Sequence, residues 1–162
     1  MAPPGMESGV DRALVMTRVL DAPREMVFDA WVDPAQLVRW FGPRNIAATV
    51  DRMEVRPGGG YRIALRATDT GETYALHGAY REVVPPERLV FTWVWEEDCP
   101  THVKDVETVV TVMFRAQGTK TEIVLHHATF DVPAMRASHT RGWTASFDKL
   151  AEMLAAGRGA RA

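Results

Sequence analysis

Between Ala47 and Thr129 six β-rich segments follow one another with only turns between them, and this succession constrains the fold more than any other feature. The segments are Ala47 to Val55, Tyr61 to Arg66, Thr73 to Val84, Leu89 to Trp95, Glu107 to Arg115 and Thr121 to Thr129. Their separators are Pro57-Gly58-Gly59-Gly60, Thr70-Gly71, Pro85-Pro86, a polar loop from Glu96 to Asp105, and Gln117-Gly118. Parallel strands need long crossovers, so strands joined this closely pair antiparallel. Tyr61, Ile63 and Leu65 alternate with Arg62, Ala64 and Arg66, a period of two that turns one face inward. Leu89, Phe91, Trp93 and Trp95 alternate with Val90, Thr92 and Val94, so this strand is apolar on both faces.

An apolar sheet face must be covered, and the C-terminal segment supplies the cover. Met135, His139, Trp143, Phe147, Leu150 and Leu154 form one stripe at helical spacing, with Pro133 in the first turn. Gly142 interrupts the helix at a cost of about 1 kcal/mol relative to alanine. Close approach to the sheet is the predicted reason. Ahead of the sheet, Ala13 to Leu20 reads as a first strand. Pro23 and Asp33-Pro34 then start two short helices, with Val27, Phe28 and Trp31, and then Leu37 with Trp40 or Phe41, as their apolar sides. Gly42-Pro43 ends the second. The predicted fold is α+β: a curved antiparallel sheet of about six or seven strands wrapped around a long C-terminal α-helix, with two short helices after the first strand. Residues 1–12 read as a flexible leader, 13–156 as a single domain and 157–162 as a tail.

Composition narrows the function classes. The 162 residues are 46% apolar and 25% charged, enough for one domain with its own core. A net charge of −2 with scattered basic residues gives no footprint for nucleic acid. No stretch approaches the roughly 20 apolar residues that span a bilayer. The first twelve residues lack the apolar run of a signal peptide. Cys99 is the one cysteine, so no internal disulfide forms, which suits the cytoplasm.

The candidate chemical groups are few. Neighbouring strand residues point to opposite faces, so His126 and His127 cannot both serve one inward site. No histidine spacing suggests zinc, and neither a metal nor a cofactor is expected. His139 shares the helix stripe with Trp143 and Phe147 and should face the sheet, with His77 or His127 opposite and Tyr61, Tyr74 and Tyr80 as sources of hydroxyls. Ser138 and Ser146 lack a nucleophile-elbow context. Gly58-Gly59-Gly60 lacks the lysine and following helix of a phosphate loop. Nothing near Cys99 in sequence activates its thiol, and Glu96-Glu97-Asp98 reads as a solvated strand end.

Three blocks carry a resemblance to a known family. Asp21-Ala22-Pro23-Arg24-Glu25-Met26-Val27-Phe28-Asp29-Ala30-Trp31, with Asp33-Pro34 and Arg39-Trp40-Phe41-Gly42-Pro43, resembles the N-terminal signature of bacterial START-like, or SRPBCC, proteins. Val84-Pro85-Pro86-Glu87-Arg88-Leu89-Val90-Phe91-Thr92-Trp93 is similar to the middle of that pattern, and Gly142-Trp143, Phe147 and Leu150 to its last helix. The narrower likeness is to the AHSA-type subgroup, named after the activator of heat-shock-protein-ninety ATPase, and it runs from Leu14 to Leu154. It implies a helix-grip fold with a deep cavity, in a superfamily whose members bind lipids, sterols, hormones and polyketides and include a minority of enzymes.

The leading expectation is binding of a small hydrophobic or amphipathic molecule between sheet and helix. The lining residues expected are Trp40, Phe41, Tyr61, Ile63, His77, Phe91, Trp93, His139, Trp143 and Phe147, with Trp40 and Phe41 at the mouth. Two alternatives stay open. One is a cyclase, hydratase or hydrolase using the same histidines and tyrosines as acids and bases. The other is an interaction module that meets a chaperone or a second copy through Trp93 and Trp95, a homodimer being a common state of small soluble domains.

Overall fold

The computed structural model describes residues 12–99 and 102–161. The chain forms β1 (Ala13–Leu20), α1 (Arg24–Val32), α2 (Pro34–Trp40), β2 (Ile46–Met53), β3 (Gly60–Ala67), β4 (Thr73–Val84), β5 (Arg88–Trp95), β6 (Glu107–Gln117), β7 (Lys120–Ala128) and α3 (Pro133–Arg161). This is the α+β order that the turns and periodicities predict. The expected leader lies outside the described residues apart from Arg12. Helix α3 runs through Gly157 to Arg161, residues whose composition predicts a tail.

The seven strands make one open sheet in the order β1-β7-β6-β5-β4-β3-β2. Every neighbouring pair is antiparallel. β1 and β2 are consecutive strands yet lie at opposite edges, so α1 and α2 must bridge the full width of the sheet. That places the two short helices across one end of the space between the sheet and α3. Asp33 starts α2 by accepting a hydrogen bond from the Ala35 N–H at 3.1 Å. After α2 the chain reverses at Gly42, whose φ of +93° favours glycine.

Met135, His139, Trp143, Phe147, Leu150 and Leu154 are all buried, so the predicted stripe is the face that α3 turns to the sheet. Tyr61, Ile63 and Leu65 of β3 and Leu89, Phe91, Trp93 and Trp95 of β5 are buried, as their alternation requires. The ladder is interrupted by register shifts between Val50 and Arg52 in β2 and between Tyr80 and Glu82 in β4, and Gly78 lies just before the second. A Cβ on Gly78 would lie 2.0 Å from the Thr92 carbonyl oxygen and 2.7 Å from Cε1 of Tyr61. The Tyr61 ring crosses this gap so that its hydroxyl donates to the same Thr92 carbonyl. Glycine is therefore required at 78 by close approach of backbone and ring.

The reason expected for Gly142 needs correction. A Cβ there would meet nothing within 4 Å, so the helix does not press on the sheet at that point. Among the described residues no helix is long and apolar enough to cross a membrane.

Gly78→Ala is expected to destabilise the fold by roughly 1–3 kcal/mol, the usual penalty for overpacking. Gly142→Ala is expected to leave stability unchanged or raise it by up to about 1 kcal/mol. Urea unfolding followed by tryptophan fluorescence measures both, and an unchanged midpoint for Gly78→Ala would contradict the close approach described.

Candidate functional site: an aromatic cleft between sheet and helix

Most of the space between the sheet and α3 is filled. Trp143 stacks on Trp31 with ring centroids 5.7 Å apart and an interplanar angle of 23°. Trp31 also meets Trp40, Phe91, Phe114 and Phe147, which closes the half of the space beneath α1 and α2. A residual void of about 20 Å³ beside Tyr61, Ile63 and Phe91 has room for about one water molecule.

On the other side of Trp143 the space stays open. A cleft of about 210 Å³, open to solvent on one side, is walled by Trp93 and Trp95 of β5, by Ser138, His139, Gly142 and Trp143 of α3, and by Phe41, Gly42 and Pro43 after α2. Ile46, Leu65, Tyr74, Cys99, His102 and Ser146 complete it. One wall is fixed by Ser146, whose hydroxyl oxygen accepts from the Gly42 N–H at 2.9 Å while its proton goes to the Gly142 carbonyl at 2.8 Å. One side chain thus ties the turn after α2 to the middle of α3.

Among the polar groups of the cleft and the wall behind it are two neutral histidines held by indoles. Trp95 Nε1–H donates to His139 Nε2 at 3.0 Å, which places the remaining ring proton of a neutral His139 on Nδ1. Burial, aided by nearby His102, pushes the His139 pKa down to about 3. Behind it, Trp143 Nε1–H donates to His127 Nδ1 at 3.2 Å. The His127 proton is then on Nε2 and donates to Thr108 Oγ1 at 2.7 Å, and Thr108 donates to the Trp93 carbonyl at 3.2 Å. In this chain every proton has an acceptor, so His127 is satisfied without charge, and burial holds its pKa well below the usual histidine range. His102 stacks on Trp95 with centroids 3.9 Å apart and an angle of 11°, and burial lowers its pKa also.

Of the ten residues expected to line a ligand space, Phe41, Trp93, His139 and Trp143 border this cleft. Tyr61, Ile63 and Phe91 border the small void instead. Phe147 is buried core. Trp40 is not at a mouth: it is fully buried and its indole donates to the Ala30 carbonyl at 3.0 Å. His77 requires the clearest correction. It lies on the outer face of β4, where Nδ1 is 2.9 Å from Glu96 in a cluster with Arg62 and Asp51. Tyr74, Leu76, Gly78 and Tyr80 hold the inner parity of that strand, so the alternation of β4 already turns His77 outward.

Trp95, His102 and Cys99 were not among the expected lining residues. Trp95 shares the parity of Leu89, Phe91 and Trp93, a signal present in the sequence. His102 and Cys99 sit in a loop with no period to read. The expected docking face at Trp93 and Trp95 is also corrected, because both are buried, at 5% and 8% exposure. The acidic triplet has structural roles: Glu96 pairs with Arg62, Glu97 accepts from the Ala75 N–H at 2.9 Å, and Asp98 accepts from the Lys104 N–H at 2.8 Å. Among the described residues no three histidine, cysteine, aspartate or glutamate side chains come together as a metal site.

Comparison with known proteins gives the family and the fold. The fold is shared with a crystal structure of a protein from Chromobacterium violaceum, at 24% identity over 88% of this chain and 97% of the other, with a TM-score of 0.78. The AHSA1 protein from Silicibacter pomeroyi is 26% identical over 90% of this chain and 99% of its own, with a TM-score of 0.79. CalU16 from Micromonospora echinospora is 26% identical over 88% of this chain and 75% of its own, with a TM-score of 0.65. A comparison with curated proteins finds no match. A family model described as Activator of Hsp90 ATPase homolog 1-like protein matches residues 21–155, nearly the whole chain, and the protein belongs to that family.

Proposed function

We propose that the protein binds one small, largely apolar, ring-bearing molecule in the cleft between β5 and α3. The carrying observation is the cleft itself, walled by Phe41, Trp93, Trp95 and Trp143 with His139 in its wall. Aromatic walls with a few placed polar groups are the usual make-up of small-molecule sites. Size selects the ligand. Pockets for drug-sized molecules run from about 300 Å³ upward, while an apolar void of about 150 Å³ holds benzene. A space of about 210 Å³ therefore suits one ring or two fused rings better than a sterol or a long acyl chain. Within the wider expectation of a hydrophobic ligand, this favours flat aromatic compounds over lipids.

The test is a thermal-shift series with native mass spectrometry of the purified protein. One- and two-ring aromatic compounds bearing a carbonyl or hydroxyl are expected to raise the melting temperature, and a sterol and a long-chain fatty acid are not. A ligand at 100 times its dissociation constant adds about 2.7 kcal/mol, which the assay resolves. Gly142 supplies the control, since it borders the cleft and a Cβ there meets nothing within 4 Å. Gly142→Leu is expected to keep the fold and abolish the ligand-induced shift. Equal shifts in wild type and Gly142→Leu would place binding elsewhere.

Acid is expected to weaken the folded state through the same histidines. The folded pKa of His139, about 3, lies below the roughly 6.5 of an unfolded histidine. The unfolded chain therefore binds more protons between these values, and stability falls as pH drops below about 6.5. His127 and His102 act in the same direction. For His139 the loss is on the order of 1.4 kcal/mol per pH unit once pH is well below 6.5. Urea unfolding at pH 7 and pH 5 measures it. His139→Phe should lessen the pH dependence by about one proton, and an unaltered dependence would show that His139 is not buried in its neutral form.

A further inference from the structure

The loop after β5 brings the one cysteine of the chain against a histidine at the edge of the cleft. Cys99 and His102 are joined by a short antiparallel bridge: Cys99 N–H donates to the His102 carbonyl at 3.0 Å, and His102 N–H donates back at 3.3 Å. The bridge holds Cys99 Sγ 3.0 Å from His102 Nδ1. The imidazole is fixed by its stack on Trp95 and by the edge of Tyr74, 5.4 Å away at 89°. A nucleophile in contact with a base, the base itself held by a third group, is the arrangement that activates a thiol. Trp93 is 5% exposed and its ring borders the same cleft, so an aromatic wall faces the pair.

We propose that Cys99, with His102 as its base, is a nucleophilic site for conjugated electrophiles held in the cleft, the class being flat α,β-unsaturated carbonyl compounds. This deepens the ligand-binding reading and rests on it. The thiol gives its proton to His102 Nδ1 while a sulfur lone pair forms a C–S bond to the β-carbon. The carbon–carbon π pair moves toward the carbonyl to give an enolate, whose oxygen is solvated at the open side of the cleft. The proton on His102 then passes to the α-carbon. The product is a saturated thioether, all atoms are retained, and the reverse sequence releases the electrophile. Acyl transfer is the weaker choice, because it needs a leaving group and several donors for a tetrahedral oxyanion. Burial outweighs a hydrogen bond to the Glu97 backbone and lowers the His102 pKa, so the imidazole is neutral near pH 7.

One cysteine makes the test clean. The full chain is treated with 4-phenylbut-3-en-2-one and, separately, with acrylamide, which reacts by the same chemistry without the ring. Adducts are followed by intact mass in buffer and in urea. The ratio of the two rates is expected to be at least tenfold higher in the folded protein than in the unfolded one. His102→Phe, which preserves a ring against Trp95, is expected to slow both additions at least tenfold, with His102→Gln as a second variant should the first not fold. Cys99→Ser should give no adduct. Equal rate ratios in folded and unfolded protein, or rates unchanged in a folded His102 variant, overturn the proposal. The unreactive 4-phenylbutan-2-one, tested by thermal shift on Cys99→Ser, separates the two readings. If it stabilises while the rate ratios are equal, the cleft binds but Cys99 is no nucleophilic site. If it does not stabilise and the ratios are equal, both readings fall.

Discussion

The contacts of one indole, that of Trp143, organise the space between sheet and helix. Its face stacks on Trp31 of α1, its edges meet Phe41 and Trp93, and its N–H is given to His127 of β7. A side chain that touches a short helix, the turn after α2 and two strands fixes where α3 lies in the curved sheet. It also divides the interior. On the Trp31 side, Trp40, Phe91, Phe114 and Phe147 fill the volume apart from a void of about 20 Å³. On the Trp95 side Trp93, Trp95, His102, Phe130 and His139 also pack ring against ring, but they leave the cleft between them and the turn after α2. Where the resemblance implies a deep cavity, this chain has a cleft of about 210 Å³, because tryptophans occupy much of the room.

The same arrangement explains how two histidines, His127 and His139, sit in or near an apolar wall without charge. An indole N–H is a donor only, and a neutral imidazole offers one acceptor nitrogen, so the Trp95–His139 and Trp143–His127 pairs match one to one. Protonating either histidine would turn the acceptor into a second donor facing a donor. Low dielectric and hydrogen bonding therefore favour the neutral form together. The cleft's lining carries these neutral groups together with the hydroxyls of Tyr74, Ser138 and Ser146 and the Cys99 thiol, and, among the described residues, no carboxylate, lysine or arginine, which suits a ligand with little charge.

Much of the architecture is legible in the residues. The turns between strands, the proline-marked helix starts and the stripe from Met135 to Leu154 each depend on local rules of backbone geometry and side-chain period. Those rules predict the strands, the helices and the inward faces of β3 and β5, and the three blocks of resemblance point to the family. The outward position of His77 follows from the same alternation, since Tyr74, Leu76 and Tyr80 hold the inner face of β4.

What the tertiary structure alone decides is where packing stops. Periodicity says that Trp40, Phe147 and Trp143 face inward, but only the final arrangement separates the first two, buried in filled core, from the third, which borders open space. Gly142 looks like a helix defect enforced by contact, yet it faces a gap, because whether a Cβ clashes depends on a surface assembled from distant segments. The meeting of Cys99 with His102, and of His102 with Trp95, belongs to a loop without period, fixed by a bridge and a ring stack. The sequence by itself determined the elements, their order and their buried faces, for these are set by bonds and contacts close along the chain. The cleft is the volume left over after all those faces have met, and it exists only in three dimensions.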